Sequence, residues 1–446
     1  MTIGRRHLLQ LGAAAALSPW PQMRVLAQTA QAASDYRALV CVFMFGGNDG
    51  NNLLVPTDTR YATYQRTRPN LALDSASLLP LTLSNATGLG LHPAFSGLRG
   101  LVNTGQASVI ANIGPLLQPT SKAQYDAGSV PLPYNLFSHS DQQGAWQSGV
   151  VEAPPRNGWG GRLLERAVAE GQAHRGYAAI SLSGGNIWEA GDKALTPYRV
   201  SAAGRFGFDF YNPNVQAGSD PLSAAVASTL AEARSHPFEQ TWLNMMSRSL
   251  EVQRTLAAAL NSSAVTTSFP DTELGRQLGM TAKLIAARTS LGLSRQCFFT
   301  SIGGFDTHGD DQLQRQNENF LEIDAAVTAF NTAMTAMGLA DSVTLFSASD
   351  FGRTFSSNGS GTDHAWGNHH FAVGGAVRGG NGGKLLGRMP DLTIDGPDDV
   401  GQGVWLPTTA TDQLGTELAR WFGADATTLA AVWPHGSGFD RIAGWA

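Results

Sequence analysis

The sequence predicts an α/β fold in which a largely parallel central sheet carries helices on both faces. Three observations lead there. Apolar runs of strand length recur at residues 38–45, 108–113, 177–182, 297–302 and 343–348, each bounded by turn-forming residues. Between them lie segments with apolar residues at helical spacing, and strands separated by helices pair in parallel. Three of the runs also open, at their carboxyl ends, into polar loops that carry acids: GGNDGNN with Asp49, GGFDTHGDD with Asp306, His308 and Asp310, and a loop beginning at Asp350. In parallel α/β sheets ligands bind at that edge, so these carboxylates should converge.

The length of 446 residues exceeds what one ordinary domain needs. No low-complexity linker divides the chain, and residues 34–446 read as a single domain. Hydrophobic residues at 42% suffice for a large core, while charged residues stand at only 15% and the net charge is -5. That balance leaves no basic face for nucleic acid, whose recognition needs clustered Lys and Arg. Cys41 and Cys297 each fall inside an apolar run, where a small buried hydrophobe is the expected role.

Taking the elements in order, residues 1–33 read as a targeting segment: Arg5 and Arg6 precede a Leu/Ala run, and no acidic residue occurs before Asp35. The run is too short and too weak for a permanent transmembrane anchor. It resembles a twin-arginine export signal, with cleavage points after Ala27 or Ala32. The resemblance implies the twin-arginine machinery as a partner and a periplasmic or extracellular destination. After the first strand, residues 91–104 predict a short helix and 138–149 a second, with Ser138 at its cap. Residues 160–170 follow as a helix. Residues 184–237 blur into Gly, Pro, Asn and aromatic residues and read as an insertion over the edge of the sheet. Long amphipathic helices are predicted over 238–260, 274–291 and 313–337.

The stretch 343–377 concentrates the chemistry: a buried-type strand, then Asp350, Arg353, Asp363, His364, His369 and His370, then a further apolar run. Hard divalent ions take carboxylate oxygen and imidazole nitrogen, and clustered carboxylates without a cation would repel one another. Arg353 and the amides around residues 48–52 are suited to a tetrahedral anion.

Four motifs in one order, GGNDGNNLLVP, GGFDTHGD, SDFGRT and GTDHAWGNHHFAVGGAVRGG, resemble the bacterial exported family catalogued as domain of unknown function 1501. That family is in turn similar, more remotely, to the alkaline phosphatase and sulfatase superfamily, which implies an alkaline-phosphatase-like fold and one or two divalent metals, whether zinc, calcium, magnesium or manganese. The resemblance implies Asp49 and Asp350 as ligands of one metal, with Phe351 standing where the superfamily has His and His364 as a substitute. It implies Asp306, His308 or Asp310, and His370 as ligands of the other. Because side chains alternate along a strand, only one of His369 and His370 is expected to ligate. AWQSG at 145–149 resembles the helix behind the superfamily's nucleophile, which places Ser138, His139 and Ser140 as candidate catalytic groups, with Arg353 on the substrate oxygens. The function implied is metal-dependent hydrolysis of a phosphate or sulfate ester, its substrate a small anionic ester or a modified polysaccharide. The alternative is a metal-containing binding or structural protein of the cell envelope.

Overall fold

The computed structural model describes residues 35–193, 195–203, 220–261 and 264–445. The export segment with Arg5, Arg6, Ala27 and Ala32 lies outside the described residues, as does most of the middle of the expected insertion. No helix among the described residues is long and apolar enough to cross a membrane.

The strands, in chain order, are β1 (Arg37–Met44), β2 (Leu54–Pro56), β3 (Leu79–Pro80), β4 (Leu89–Leu91), β5 (Ala107–Gly114), β6 (Ala179–Ser181), β7 (Tyr198–Arg199), β8 (Arg295–Ile302), β9 (Val343–Ser349), β10 (Asn368–Gly374), β11 (Leu385–Gly387) and β12 (Thr409–Ala410). Strands β2, β3 and β4 form a small antiparallel sheet, and the other nine form the main one in the order β11-β5-β10-β9-β1-β8-β6-β7, with β12 also on β5. Among the described residues, only β10 runs against its neighbours β5 and β9; every other pairing in the main sheet is parallel. This is the expected α/β architecture. Its central strands are buried along their length apart from the half-buried Arg37 at the start of β1, as strands covered on both faces must be.

The principal helices are α1 (Gly50–Leu53), α2 (Ser96–Asn103), α3 (His139–Ser148), α4 (Trp159–Ala169), α5 (Pro237–Asn261), α6 (Glu273–Ala286), α7 (Gln312–Ala336) and α8 (Thr411–Phe422). Successive residues of β1 point to opposite faces. Val40, Val42 and Met44 join one core with Leu98 of α2, Leu278 of α6 and Phe320 and Ile323 of α7. Leu39, Cys41 and Phe43 join the other, with Trp146 of α3, Leu164 of α4 and Leu418 of α8. Helices therefore cover both faces. Cys41 and Cys297 are free and buried, and Cys297 pairs in register with Leu39 rather than Cys41, so the two thiols are offset by two residues.

Two topological facts position the site. Strand β1 lies between β8 and β9 with Met44 level with both Ile302 and Ser349, so the three acidic loops leave the sheet side by side. Strand β10, being antiparallel, starts at the edge where the others end.

Candidate metal centre

Gly46 and Gly47 let the loop after β1 pass between its neighbours. Both have left-handed backbones, at φ +115° and +80°, and a Cβ would stand 2.4 Å from the Asp306 backbone nitrogen at Gly46 and 2.4 Å from the Phe351 ring at Gly47. Glycine meets both demands, since it alone adopts positive φ freely and brings no side chain.

The chain after β9 turns back on itself as a hairpin. Ala365 N donates to Gly352 O at 2.9 Å, and Arg353 and His364 form an antiparallel bridge. Pairing of the two arms is what returns His364 to the sheet edge. Helix α3 points its first turn at the same place, with His139 as its first residue.

Three groups meet there. His139 Nε2 and His364 Nε2 each lie 3.5 Å from Asp306 Oδ1, and one ligand atom from each residue falls within 4.8 Å of the others. The two imidazoles are oriented through their other nitrogens: Nδ1 of His139 bonds Asp350 Oδ2 at 2.7 Å, and Nδ1 of His364 bonds the main-chain carbonyl of Phe137 at 2.8 Å. With Nδ1–H donated, each Nε2 is an acceptor, and neither has a hydrogen-bond partner. Phe137 carries a left-handed backbone at φ 71°, a strained conformation for a bulky residue and one that accompanies functional sites.

Asp306 is held by Arg353 Nη2 at 2.5 Å and by His308 Nδ1 at 3.1 Å. Burial raises its pKa, but the Arg353 hydrogen bond and the surrounding positive charge outweigh that and hold the carboxyl below the usual range. The hydrogen bond to Asp350 raises the pKa of His139 against the effect of burial, whereas burial lowers that of His364. His139, His364 and Asp306 are thus ligand-type groups close enough together to hold a metal ion, on a carboxylate that Arg353 also reaches.

Of the residues expected at the metals, Asp306 and His364 belong to this cluster and Asp350 touches it through His139. His308 stands at the open side, 45% exposed, with Nδ1 on Asp306 and Nε2 3.3 Å from Arg353 Nη1. The rest lie elsewhere. Asp49 caps α1 and pairs with Arg68 in the interior, while Gln312 Nε2 donates to its carboxylate at 2.7 Å, so its charge is already neutralised. Asp310 is exposed and makes none of the cluster's contacts. His370 is fully buried in β10 beneath Trp146, with Nδ1 3.1 Å from Ser347 Oγ, and burial holds its pKa down to about 3. His369 turns the other way and accepts the Asn112 N–H at 2.9 Å. The adjacent pair thus alternates as expected, with neither in the cluster.

The catalytic expectations change as well. Arg353 is wholly buried and its donors are consumed: Nε bonds Gly47 O, Nη1 bonds Thr362 O, and Nη2 bonds Gly46 O, Phe305 O and Asp306. It staples three loops together and has no free edge for substrate oxygens. Ser138 donates to Asp141 at 2.7 Å with Ser140 3.4 Å away, so neither hydroxyl is directed at the cluster. His139, expected as a nucleophile or acid–base group, is instead the third ligand-type side chain. Gln143, Phe137 and Arg68 were missed altogether. The spacing of Gln143 from His139, one helical turn, is the signal that marks Gln143.

Fold and site together define an α/β protein with a histidine–carboxylate cluster, of a kind that could hold a metal ion, at the carboxyl edge of its main sheet. The chain belongs to the family described as Protein of unknown function (DUF1501), which it matches over residues 36–424. No curated protein matches it. Among solved structures it is similar to the PsFucS1 sulfatase from Pseudoalteromonas sp., at 13% identity over 91% of this chain and 72% of that one, with a TM-score of 0.36. It is similar also to the lipoteichoic acid synthase LtaP from Listeria monocytogenes, at 6% identity over 88% and 74% of the two chains with a TM-score of 0.33, and to a 2-O GAG sulfatase, at 10% over 90% and 74% with 0.33.

Proposed function

We propose that the protein is an exported hydrolase of phosphate or sulfate esters that uses one divalent metal held by His139, Asp306 and His364. The observation that carries this reading is the convergence of two unpartnered imidazole Nε2 atoms on one carboxylate oxygen. Two imidazole acceptors without a donor, facing a carboxylate oxygen that Arg353 and His308 also reach, suit a cation, and a set of two nitrogens and one oxygen suits zinc better than calcium, magnesium or manganese, which prefer oxygen. A second metal on Asp49 and Asp350 is not supported, because Arg68 and Gln312 already neutralise Asp49, and His139, Gln143 and the Gly46 N–H take Asp350 Oδ2, leaving only its buried Oδ1 without a partner.

When bound, the metal would polarise an ester oxygen and lower the pKa of water. The chain's own residues set the geometry around it. Arg353 and His308 fix the direction of the Asp306 carboxylate, and exposed His308 stands where a proton can pass to solvent. With Ser138 and Ser140 turned away, water rather than a side-chain hydroxyl is the nucleophile, and no covalent step is needed. Substrates in the proposed class are small anionic esters or modified polysaccharides, met after export by the twin-arginine route.

Protein purified from its native compartment should carry about one equivalent of metal and cleave at least one member of a panel of phosphate mono- and diesters, sulfate esters and phosphonates. Asp306→Asn should lose both properties. A wild type with well under one equivalent, after growth with several metals supplied, overturns the metal assignment. The saturation of Arg353 and the averted serines favour a second reading, a metal-containing binding or structural protein of the envelope; a metal-loaded wild type inert on the whole panel would establish it.

A further inference from the structure

Asp350 ends β9 with its side chain fully buried. The resemblance implies that it ligates a metal, but its surroundings indicate another task. Oδ2 accepts from His139 Nδ1 at 2.7 Å, from Gln143 Nε2 at 2.9 Å and from the Gly46 N–H at 3.2 Å. His139 and Gln143 stand one turn apart on α3, so a single oxygen ties the start of that helix to the end of β9. An imidazole whose Nδ1–H is given to a carboxylate can offer a cation only Nε2, across the ring from that carboxylate. That is the atom 3.5 Å from Asp306 Oδ1. Phe351 lies against the ring, centroid to centroid 4.8 Å at 38°, and restricts its rotation.

We propose that Asp350 is a positioning residue, not a ligand: it holds His139 as an Nε2 donor to a divalent cation, and Gln143 fixes the Asp350 carboxylate in turn. This rests on the metal reading above. Metal-bound histidines commonly donate their second N–H to a carboxylate or a carbonyl, and loss of that partner lowers metal affinity ~10–100-fold. His364 is supported by the Phe137 carbonyl in the same way, so Asp350 and Gln143 are the side chains through which this support can be altered.

The test measures Zn²⁺ affinity by competition with a chromophoric chelator for the wild type, Asp350→Ala and Gln143→Ala, together with visible spectra of the Co²⁺-saturated forms. Asp350→Ala should bind ~10–100-fold more weakly and Gln143→Ala several-fold more weakly, both with a Co²⁺ spectrum of wild-type shape because the ligands are intact. In metal-free protein labelled with ¹⁵N-histidine, held above the pH at which the His139 resonances cease to titrate, His139 should be a single Nδ1–H tautomer. Asp350→Ala should turn it into a mixture, which a merely structural role would not do. A changed Co²⁺ spectrum in Asp350→Ala would make Asp350 a ligand, and unchanged affinity in both variants would remove it from the site; either overturns the proposal. Should Asp350→Ala fail to fold, the Gln143→Ala affinity and the wild-type tautomer decide alone. A wild type that binds no Zn²⁺ sinks the metal reading itself, a failure distinct from the others.

Discussion

Arg353→Ala discriminates between a staple and a substrate clamp. In the folded protein the guanidinium reaches four main-chain carbonyls, those of Gly46, Gly47, Phe305 and Thr362, besides the Asp306 carboxylate. Removing a partner from a buried acceptor costs ~1–3 kcal/mol. Water entering the vacated space would satisfy some of these groups, and with about half rescued the loss is on the order of 5 kcal/mol. A typical folded chain is stable by only ~5–15 kcal/mol, so the variant should be severely weakened. An unfolding entropy of ~2.1 cal/mol/K per residue gives ~0.9 kcal/mol/K for a chain of 446 residues. The melting temperature should then fall by about 5 °C. Arg353→Lys should recover little, because one ammonium with three donors cannot span carbonyls on three loops. Thermal unfolding followed by far-ultraviolet circular dichroism at several scan rates supplies the measurement. If Arg353→Ala melts within a degree of the wild type yet loses turnover, the staple argument is wrong and the guanidinium acts on the substrate.

Two further expectations concern pH and export. Glu189 is wholly buried, and desolvation pushes its pKa up to about 8 against the opposing Asn186 hydrogen bond. Because the folded pKa lies above the ordinary carboxyl value, ionisation destabilises the native state progressively from about pH 4.5 to about pH 8. Glu189→Gln should therefore gain stability relative to the wild type as pH rises through that window, and a difference in urea midpoint that stays constant with pH would contradict this. For export, Arg5→Lys combined with Arg6→Lys should leave the precursor in the cytoplasm; a normal periplasmic yield from the double variant would refute the twin-arginine reading.

The α/β class and the edge of the sheet at which to look were legible in the sequence because they follow from local patterns. Runs such as 38–45 and 343–348 are apolar without alternation, which only a strand covered on both faces tolerates, and the helices between them dictate parallel pairing. Acidic loops at the ends of such strands must share one edge, and Asp306 and Asp350 do. What sequence could not decide was which of several eligible side chains face one another, since that depends on groups distant along the chain. Asp49 looked as metal-competent as Asp306 until folding buried it against Arg68 and Gln312, whereas Asp306, though also paired with an arginine, stays 51% exposed and faces two imidazoles. His370 follows a loop rich in ligand-type residues, yet β10 runs antiparallel and carries that ring into the core under Trp146. His139 is 167 residues from Asp306 and 225 from His364 in sequence; only the packing of α3 against the end of β9, and the hairpin that returns His364, place their nitrogens around one carboxylate oxygen.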